Sequence, residues 1–384
     1  MKQRRILVLT LSFGSGHIQA ARTVARELKR QSPGAEVQVL DALARCRFWF
    51  RAGYVWPYWV MLRYAPNLWD RFFHRRVARM DQQTAPRWTF RLGCPQVFKT
   101  IADFRPDVLV ACEVAAREMA ALAKREGLTS ARIINVITDY EAEPIWVKPE
   151  VDAYAVADAH VLDQLSAWGA PGNSVMVTGI PTDRAFDTQH DKQATRLRHR
   201  LEGDAQILLI LGGGSGPTRM DEVAATLCSC GHPLHVIAAA GHDERARRRL
   251  SRLRPQPPVT LRVLDWTDDI AALMQAASVL VTKPGGLTVA EAAMCALPVV
   301  MFDAIPGPEQ RNAERLATAR AGVLRNGPEQ AASAALTLLR DAAARQKMSQ
   351  SAERLARPDA AARIARLALD EALPKQESAR RMTA

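Results

Sequence analysis

At 384 residues the chain is too long for one hydrophobic core and predicts two domains. Its hydrophobic fraction of 48% excludes a disordered chain, and no run approaches the roughly 20 apolar residues of a membrane-spanning helix. The formal charge of +12 favours anionic partners: nucleotides, nucleic acid or acidic lipid surfaces. The six cysteines, Cys46, Cys94, Cys112, Cys228, Cys230 and Cys295, show no ligand-like spacing. They read as free thiols of a reducing compartment, with no structural metal site.

In chain order, "RILVLTL" at the N-terminus reads as a first strand rather than a signal peptide, because it runs directly into "SFGSGH". "IQAARTVARELKRQ" has helical periodicity with a basic solvent side. "EVQVLDA" is again strand-like, and "DVLVAC", "ARIINVIT", "DAYAVA" and "NSVMVTG" follow as compact apolar runs without strict alternation. Such runs predict parallel strands buried on both faces, with helices between them as cover. Residues 186–204 are polar and read as a linker with some helix. The pattern then restarts with "AQILLILGGGSG", "LHVIAAAG", "VTLRVLD", "SVLVTK" and "LPVVMFD". From about Glu329 to Ala372 the Ala-, Leu- and Arg-rich tail reads as two helices, and the last residues as frayed. The predicted class is α/β: two Rossmann-like doubly wound domains facing a central cleft. Ligands bind such sheets at the carboxyl ends of the strands.

The turns at those strand ends carry the chemistry. Gly14 and Gly16 let the backbone approach a ligand closely, and His17 stands at the following helix N-terminus. That position disfavours the imidazolium and leaves a neutral ring able to accept a proton. Asp139, after "IINVIT", is a second candidate, either as the base or as the group that orients the histidine. "LGGGSGP" offers Gly213, Gly214 and Ser215 as a pyrophosphate cradle; it lacks the lysine of an ATP-binding P-loop. In "TKPGGLTVAEAAMCA", Gly285, Gly286, Leu287 and Thr288 open a helix against the nucleotide, and Glu291 one turn on suits two sugar hydroxyls. In "DAIPGPEQRNAE", Glu309, Gln310 and Asn312 match a polyhydroxylated ligand beyond the diphosphate. Trp266 reads either as a base-stacking ring at the cleft rim or as core.

Residues 45–91 hold 13 of the 23 aromatic residues and a local formal charge of +8, so this is a surface with a role beyond solubility. Trp and Tyr favour the headgroup interface, and each arginine gains about 1 kcal/mol near anionic lipid. Trp49, Trp56, Tyr58, Trp59, Arg63 and Trp69 are the expected anchors. Stacking rings with arginines also suit single-stranded nucleic acid. That partner is not expected, because the glycine turns would then go unexplained.

Taken in order, "FGSGHIQAARTV", "TDYEAEPIWVKPEVDAYAV", "VTGIPTDRAF", "LGGGSG", "VTKPGGLTVAEAAMCALPVV" and "IPGPEQRNAERL" resemble the monogalactosyldiacylglycerol synthases and processive diacylglycerol glucosyltransferases. These are similar to the peptidoglycan enzyme that adds N-acetylglucosamine to lipid I. The resemblance implies a GT-B fold of the glycosyltransferase family 28 type, an inverting transfer and no essential metal. It implies an acceptor- and membrane-facing domain at residues 1–185 and a UDP-sugar domain at 205–350. Residues 351–384 are expected to return a helix to the first domain. The implied donor is a UDP-sugar, and the acceptor is a lipid on the cytoplasmic face of the cell membrane. His17 matches the histidine implicated in acceptor activation, Glu291 the ribose-binding carboxylate, and Glu309 and Asn312 the loop around the donor sugar. The chain departs from the family pattern at Cys112, Glu113 and Val114, at Glu143 where a histidine is usual, and at Pro308 where an amide is usual. The alternatives left open are a soluble or polyprenyl-linked acceptor, a nucleotide-sugar epimerase, and a basic binding module without catalysis.

Overall fold

The computed structural model describes residues 3–12, 14–79, 85–212 and 218–370. Two parallel six-stranded sheets form its two halves. The first contains β1 (Arg5–Thr10), β2 (Glu36–Asp41), β3 (Val108–Ala111), β4 (Arg132–Val136), β5 (Ala153–Val156) and β6 (Val175–Val177), in the order β2-β1-β3-β4-β5-β6. The second contains β7 (Gln206–Leu211), β8 (Leu234–Ala239), β9 (Val259–Leu264), β10 (Val279–Thr282), β11 (Val299–Met301) and β12 (Gly322–Leu324), in the order β12-β11-β10-β7-β8-β9. The central strands are apolar and buried on both faces, as their unalternating sequence requires. β12 was not expected: it opens on a glycine and runs into Arg325 and Asn326, leaving only Val323 and Leu324 as an apolar signal.

The helices that bear on function are α1 (Ser15–Gln31), α2 (Phe48–Tyr64), α3 (Pro66–Ala78), α4 (Val114–Arg125), α5 (Gly286–Met294), α6 (Pro308–Thr318), α7 (Ala342–Leu355) and α8 (Ala360–Ala368). In each sheet the strand order reverses beside the first strand, at β1/β3 and at β7/β10. A crevice opens at each reversal, and α1, α4 and α5 all start there.

The tail forms three helices rather than two, the first over Pro328–Arg340. α7 runs unbroken through residue 350 and packs on α5, so the chain leaves the second half only after Leu355. α8 then packs against α1, and its Ile364, Ala365 and Ala368 are buried with Ile6, Val8 and Val24. The outgoing and returning segments touch. Gly179 has φ +90°, and a Cβ there would lie 2.5 Å from the Cβ of Arg357 and 3.1 Å from that of Ala360.

One cysteine expectation is corrected. Cys46 and Cys94 are joined as a disulfide, and Cys112, Cys228, Cys230 and Cys295 are free. The Arg47 N–H donates to the Gly93 carbonyl at 2.7 Å, and Phe50 lies so close to Gly93 that a Cβ there would sit 2.3 Å from Phe50 Cδ2. This packing brings two sulfurs 48 residues apart into contact. The cysteines therefore no longer argue for a reducing compartment.

Candidate functional site

A cavity of about 700 Å³ lies between the two halves. From the first half come Gly14, Gly16, His17, Thr138 and Asp139; from the second come Lys283, Gly285, Gly286, Leu287, Thr288, Glu291 and Glu309. The N-termini of α1 and α5 oppose one another: a Cβ on Gly16 would meet Leu287 Cβ at 3.6 Å. Two helix starts aimed into one cavity present unpaired N–H groups and positive dipole ends to a bound anion.

His17 is the third residue of α1, and its Nδ1 lies within hydrogen-bond distance of Thr138 Oγ1 at 3.1 Å. The partner holding the ring is thus Thr138. Asp139 is held from the opposite domain instead: its Oδ1 accepts from Asn312 Nδ2 at 2.9 Å.

Asn312 itself does not line the cavity, and its expected sugar contact is corrected. It is fully buried on α6, donates also to the Pro284 carbonyl at 3.1 Å, and accepts from the Tyr140 N–H at 2.8 Å. It works as a bracket between the two halves. Asn312→Ala is expected to cost about 1–3 kcal/mol in a denaturant titration, since three partners lose a buried hydrogen bond together. An unchanged midpoint would contradict this reading. Gln310 is also corrected: it does not line the cavity, and its amide donates to Glu314 Oε1 at 3.2 Å on the outer side of α6.

Glu309 Oε2 accepts from the Ile305 N–H at 2.9 Å, and Oε1 lies 3.8 Å from Lys283 Nζ. Burial pushes the Glu309 carboxyl above its ordinary range, with Lys283 opposing. Lys283 is only 6% exposed and was missed in the sequence, where a lysine in "TKPGG" reads as a solvated loop residue. Folded, it is a cation on the wall beneath the α5 N-terminus.

Desolvation by the cavity wall, with the charge of Asp183 adding, pushes the Glu291 carboxyl up to about 8. A carboxyl that is more basic folded than unfolded binds more protons in the folded state. Its contribution to stability therefore falls as pH rises from about 4.5 to about 8 and is level outside that window. Glu291→Gln is expected to flatten the fall in melting temperature across that window; parallel curves for the two proteins would contradict it.

Trp266 resolves to the rim. It is 41% exposed and stacks on His242, with ring centroids 4.8 Å apart and planes at 3°. Gly213, Gly214 and Ser215 lie outside the described residues.

The aromatic belt becomes an arm of two helices, α2 and α3, with two faces. Outward lie Trp49, Trp56, Tyr64, Leu68 and Phe72, all at least 45% exposed. The side chains of Trp59 and Arg63, both in α2, lie outside the described set. Tyr58 and Trp69 correct the expectation by facing inward: Tyr58 lines the cavity, and Trp69 Nε1–H donates to the Pro306 carbonyl at 3.0 Å. Phe73 is buried, and the Arg76 guanidinium pairs with the buried Glu143 carboxylate. Glu143 thus fastens the arm from below. Glu113 caps α4, accepting from the Ala115 and Ala116 N–H groups at 2.7 and 3.0 Å. Among the described residues no helix is long and apolar enough to cross a membrane, and no group of three or more His, Cys, Asp or Glu is placed to hold a metal ion.

Comparison with known proteins bears out the resemblance drawn from the motifs. Residues 17–182 match the family model for monogalactosyldiacylglycerol (MGDG) synthase, and residues 197–355 the model for glycosyl transferases group 1. A processive diacylglycerol beta-glucosyltransferase of Bacillus cytotoxicus is 26% identical over 374 residues, covering 97% of this chain and 95% of its own. One from Bacillus cereus is 28% identical over 316 residues, covering 82% and 80%. The crystal structure of Acinetobacter baumannii MurG superposes with a TM-score of 0.62 at 16% identity, over 96% of this chain and 99% of that one. The fold is GT-B.

Proposed function

We propose that this relative of the diacylglycerol glycosyltransferases transfers a hexose from a UDP-sugar to a membrane lipid acceptor such as diacylglycerol, with inversion at the anomeric carbon. The observation that carries the reading is the facing of His17, on one domain, by the α5 N-terminus with Lys283, Glu291 and Glu309 on the other. An imidazole base and an anion-binding helix start then address the two ends of one bond.

The acceptor hydroxyl is a poor nucleophile until its proton is taken as it attacks. With the Nδ1 proton of His17 donated to Thr138 Oγ1, Nε2 keeps its lone pair for that proton. The new bond forms between the acceptor oxygen and the anomeric carbon while the bond to the diphosphate oxygen breaks. UDP leaves with the electron pair and gains negative charge. The N–H groups at Gly286–Thr288 and the Lys283 ammonium oppose that charge in a preorganised site. Attack from the face opposite UDP inverts the configuration. Glu291 accepts the ribose hydroxyls, Trp266 covers the base, and Glu309 takes hydroxyls of the hexose.

The outward face of the arm supports a peripheral seat on anionic lipid at the inner face of the membrane, since exposed rings and arginines occur together there. The test is incubation with UDP-glucose, UDP-galactose or UDP-N-acetylglucosamine and diacylglycerol in anionic vesicles. Glycolipid and equimolar UDP are expected from at least one donor. Folded protein releasing no UDP with any pairing overturns the proposal. Vesicle flotation separates the soluble-acceptor alternative, in which the protein stays unbound.

A further inference from the structure

Trp69, Phe73 and Arg76 stand four and three residues apart, which stacks them along one side of α3. Each meets protein outside the arm. The Trp69 Nε1–H donates to the Pro306 carbonyl at 3.0 Å, the Phe73 ring lies against Gly307, and the Arg76 guanidinium pairs with Glu143. Two of these three contacts cross to the second half, and both fall on the loop that carries Ile305, Pro308 and Glu309 into the cavity wall.

Consecutive residues of that loop are held from different directions. The Ile305 N–H donates to Glu309 Oε2 at 2.9 Å, so the carboxylate is anchored at the head of its own loop. The Pro306 carbonyl takes the Trp69 indole. Gly307 has φ +95°, a conformation that favours glycine, and a Cβ there would lie 3.0 Å from the Phe73 ring. The Arg311 N–H then donates to the Gly307 carbonyl at 3.1 Å, and Glu309 lies in the first turn of α6. The indole therefore grips the chain one residue beyond the N–H that holds the Glu309 carboxylate. The indole is itself packed within the arm: Tyr58 meets it edge-on, with centroids 5.0 Å apart and planes at 89°, and Phe72 lies at 6.0 Å.

We propose that Trp69 is a positioning residue of the donor-sugar subsite: from the acceptor-side half it fixes the 305–309 loop and so holds the Glu309 carboxylate in place for the hexose. The inference rests on the UDP-sugar reading and deepens it, because the donor subsite is then completed by the arm of the other domain. Loosening the loop weakens the hold on the sugar, whereas the groups assigned to the nucleotide lie elsewhere, on α5 and at Trp266.

The test is calorimetry on the full chain with UDP, UDP-glucose, UDP-galactose and UDP-N-acetylglucosamine, on the wild type, Trp69→Phe, Glu309→Gln and the double variant. Trp69→Phe keeps an aromatic ring against Tyr58 and removes the donor to Pro306. It is expected to leave UDP affinity within about twofold while weakening the most tightly bound UDP-hexose by about three- to tenfold. Glu309→Gln should move the same ratio in the same direction. In the double variant the loss should stay near that of Glu309→Gln alone, because Trp69 acts through that carboxylate. A UDP-hexose to UDP ratio unchanged in Trp69→Phe overturns the proposal. So does an equal loss for UDP and every UDP-sugar, which would make Trp69 a packing residue, and so do losses that multiply in the double variant. A ratio that moves in Glu309→Gln but not in Trp69→Phe sinks this inference alone. A folded wild-type chain that binds no UDP sinks the donor reading with it.

Discussion

Replacing His17 with alanine is expected to lower turnover by about two to four orders of magnitude while leaving UDP affinity near that of the wild type. The imidazole sits at the start of α1 on the acceptor side of the cavity, and the groups assigned to the nucleotide belong to the other domain. Deleting the ring removes the proton acceptor without disturbing α5, Lys283 or Glu291. Among the described residues the ring has one hydrogen bond, to Thr138, so the fold should tolerate the loss. Initial rates of UDP release paired with UDP calorimetry check both halves of this statement. A parallel loss of UDP binding would reassign His17 to the nucleotide site, and an unaltered rate would remove it from the chemistry.

The second large effect is expected at Gly286, where one added methyl group meets backbone of the other domain. A Cβ there would lie 2.0 Å from the Thr138 carbonyl oxygen and 2.9 Å from Asp139 Oδ1. Neither neighbour yields easily. Thr138 carries the hydroxyl against His17, and Asp139 is bracketed by Asn312, itself bonded to Pro284 and Tyr140. Gly286→Ala must therefore push the 138–140 segment away from α5. Overpacking of this kind costs about 1–3 kcal/mol. Displacing a catalytic group by about 1 Å costs about a hundredfold in rate. The expected result is a lower melting temperature together with a kcat loss that exceeds any loss in UDP affinity, because α5 keeps its N–H groups. Wild-type kcat and melting temperature in the variant would show that the domains do not approach this closely in solution. The sequence places Gly286 in the turn that opens a helix against the nucleotide; the structure adds that it must be bare toward the protein.

The architecture is legible in the sequence to the extent that local pattern dictates it. Strands covered by helices on both faces must be apolar, so the central strands stand out as apolar runs; the edge strand β2 alternates instead, and β12 holds only Val323 and Leu324 beside a glycine. Glycine turns after those runs locate the cleft, because strand ends at a topological reversal are where the backbone is free to meet a ligand. What stays hidden depends on direction. Gln310 and Asn312 are two residues apart and look like one cluster, but on a helix they point about 200° apart. One meets solvent and Glu314; the other is buried between the domains. The belt hides its orientation for a related reason. Both faces of α2 and α3 carry aromatic rings, so composition cannot separate Trp56, which faces outward, from Trp69, which holds the 305–309 loop. Lys283 and the Cys46–Cys94 pair depend on contacts made only by the folded chain.

The touching of Gly179 with Arg357 and Ala360 has a mechanical consequence. The polypeptide passes between the domains twice, and both passages are pressed together at one point. The halves are thus tied at this joint as well as across the cleft, where Asn312 bonds to Asp139 and Tyr140 and Trp69 to Pro306, so a shift of one half along the other would break contacts at both places.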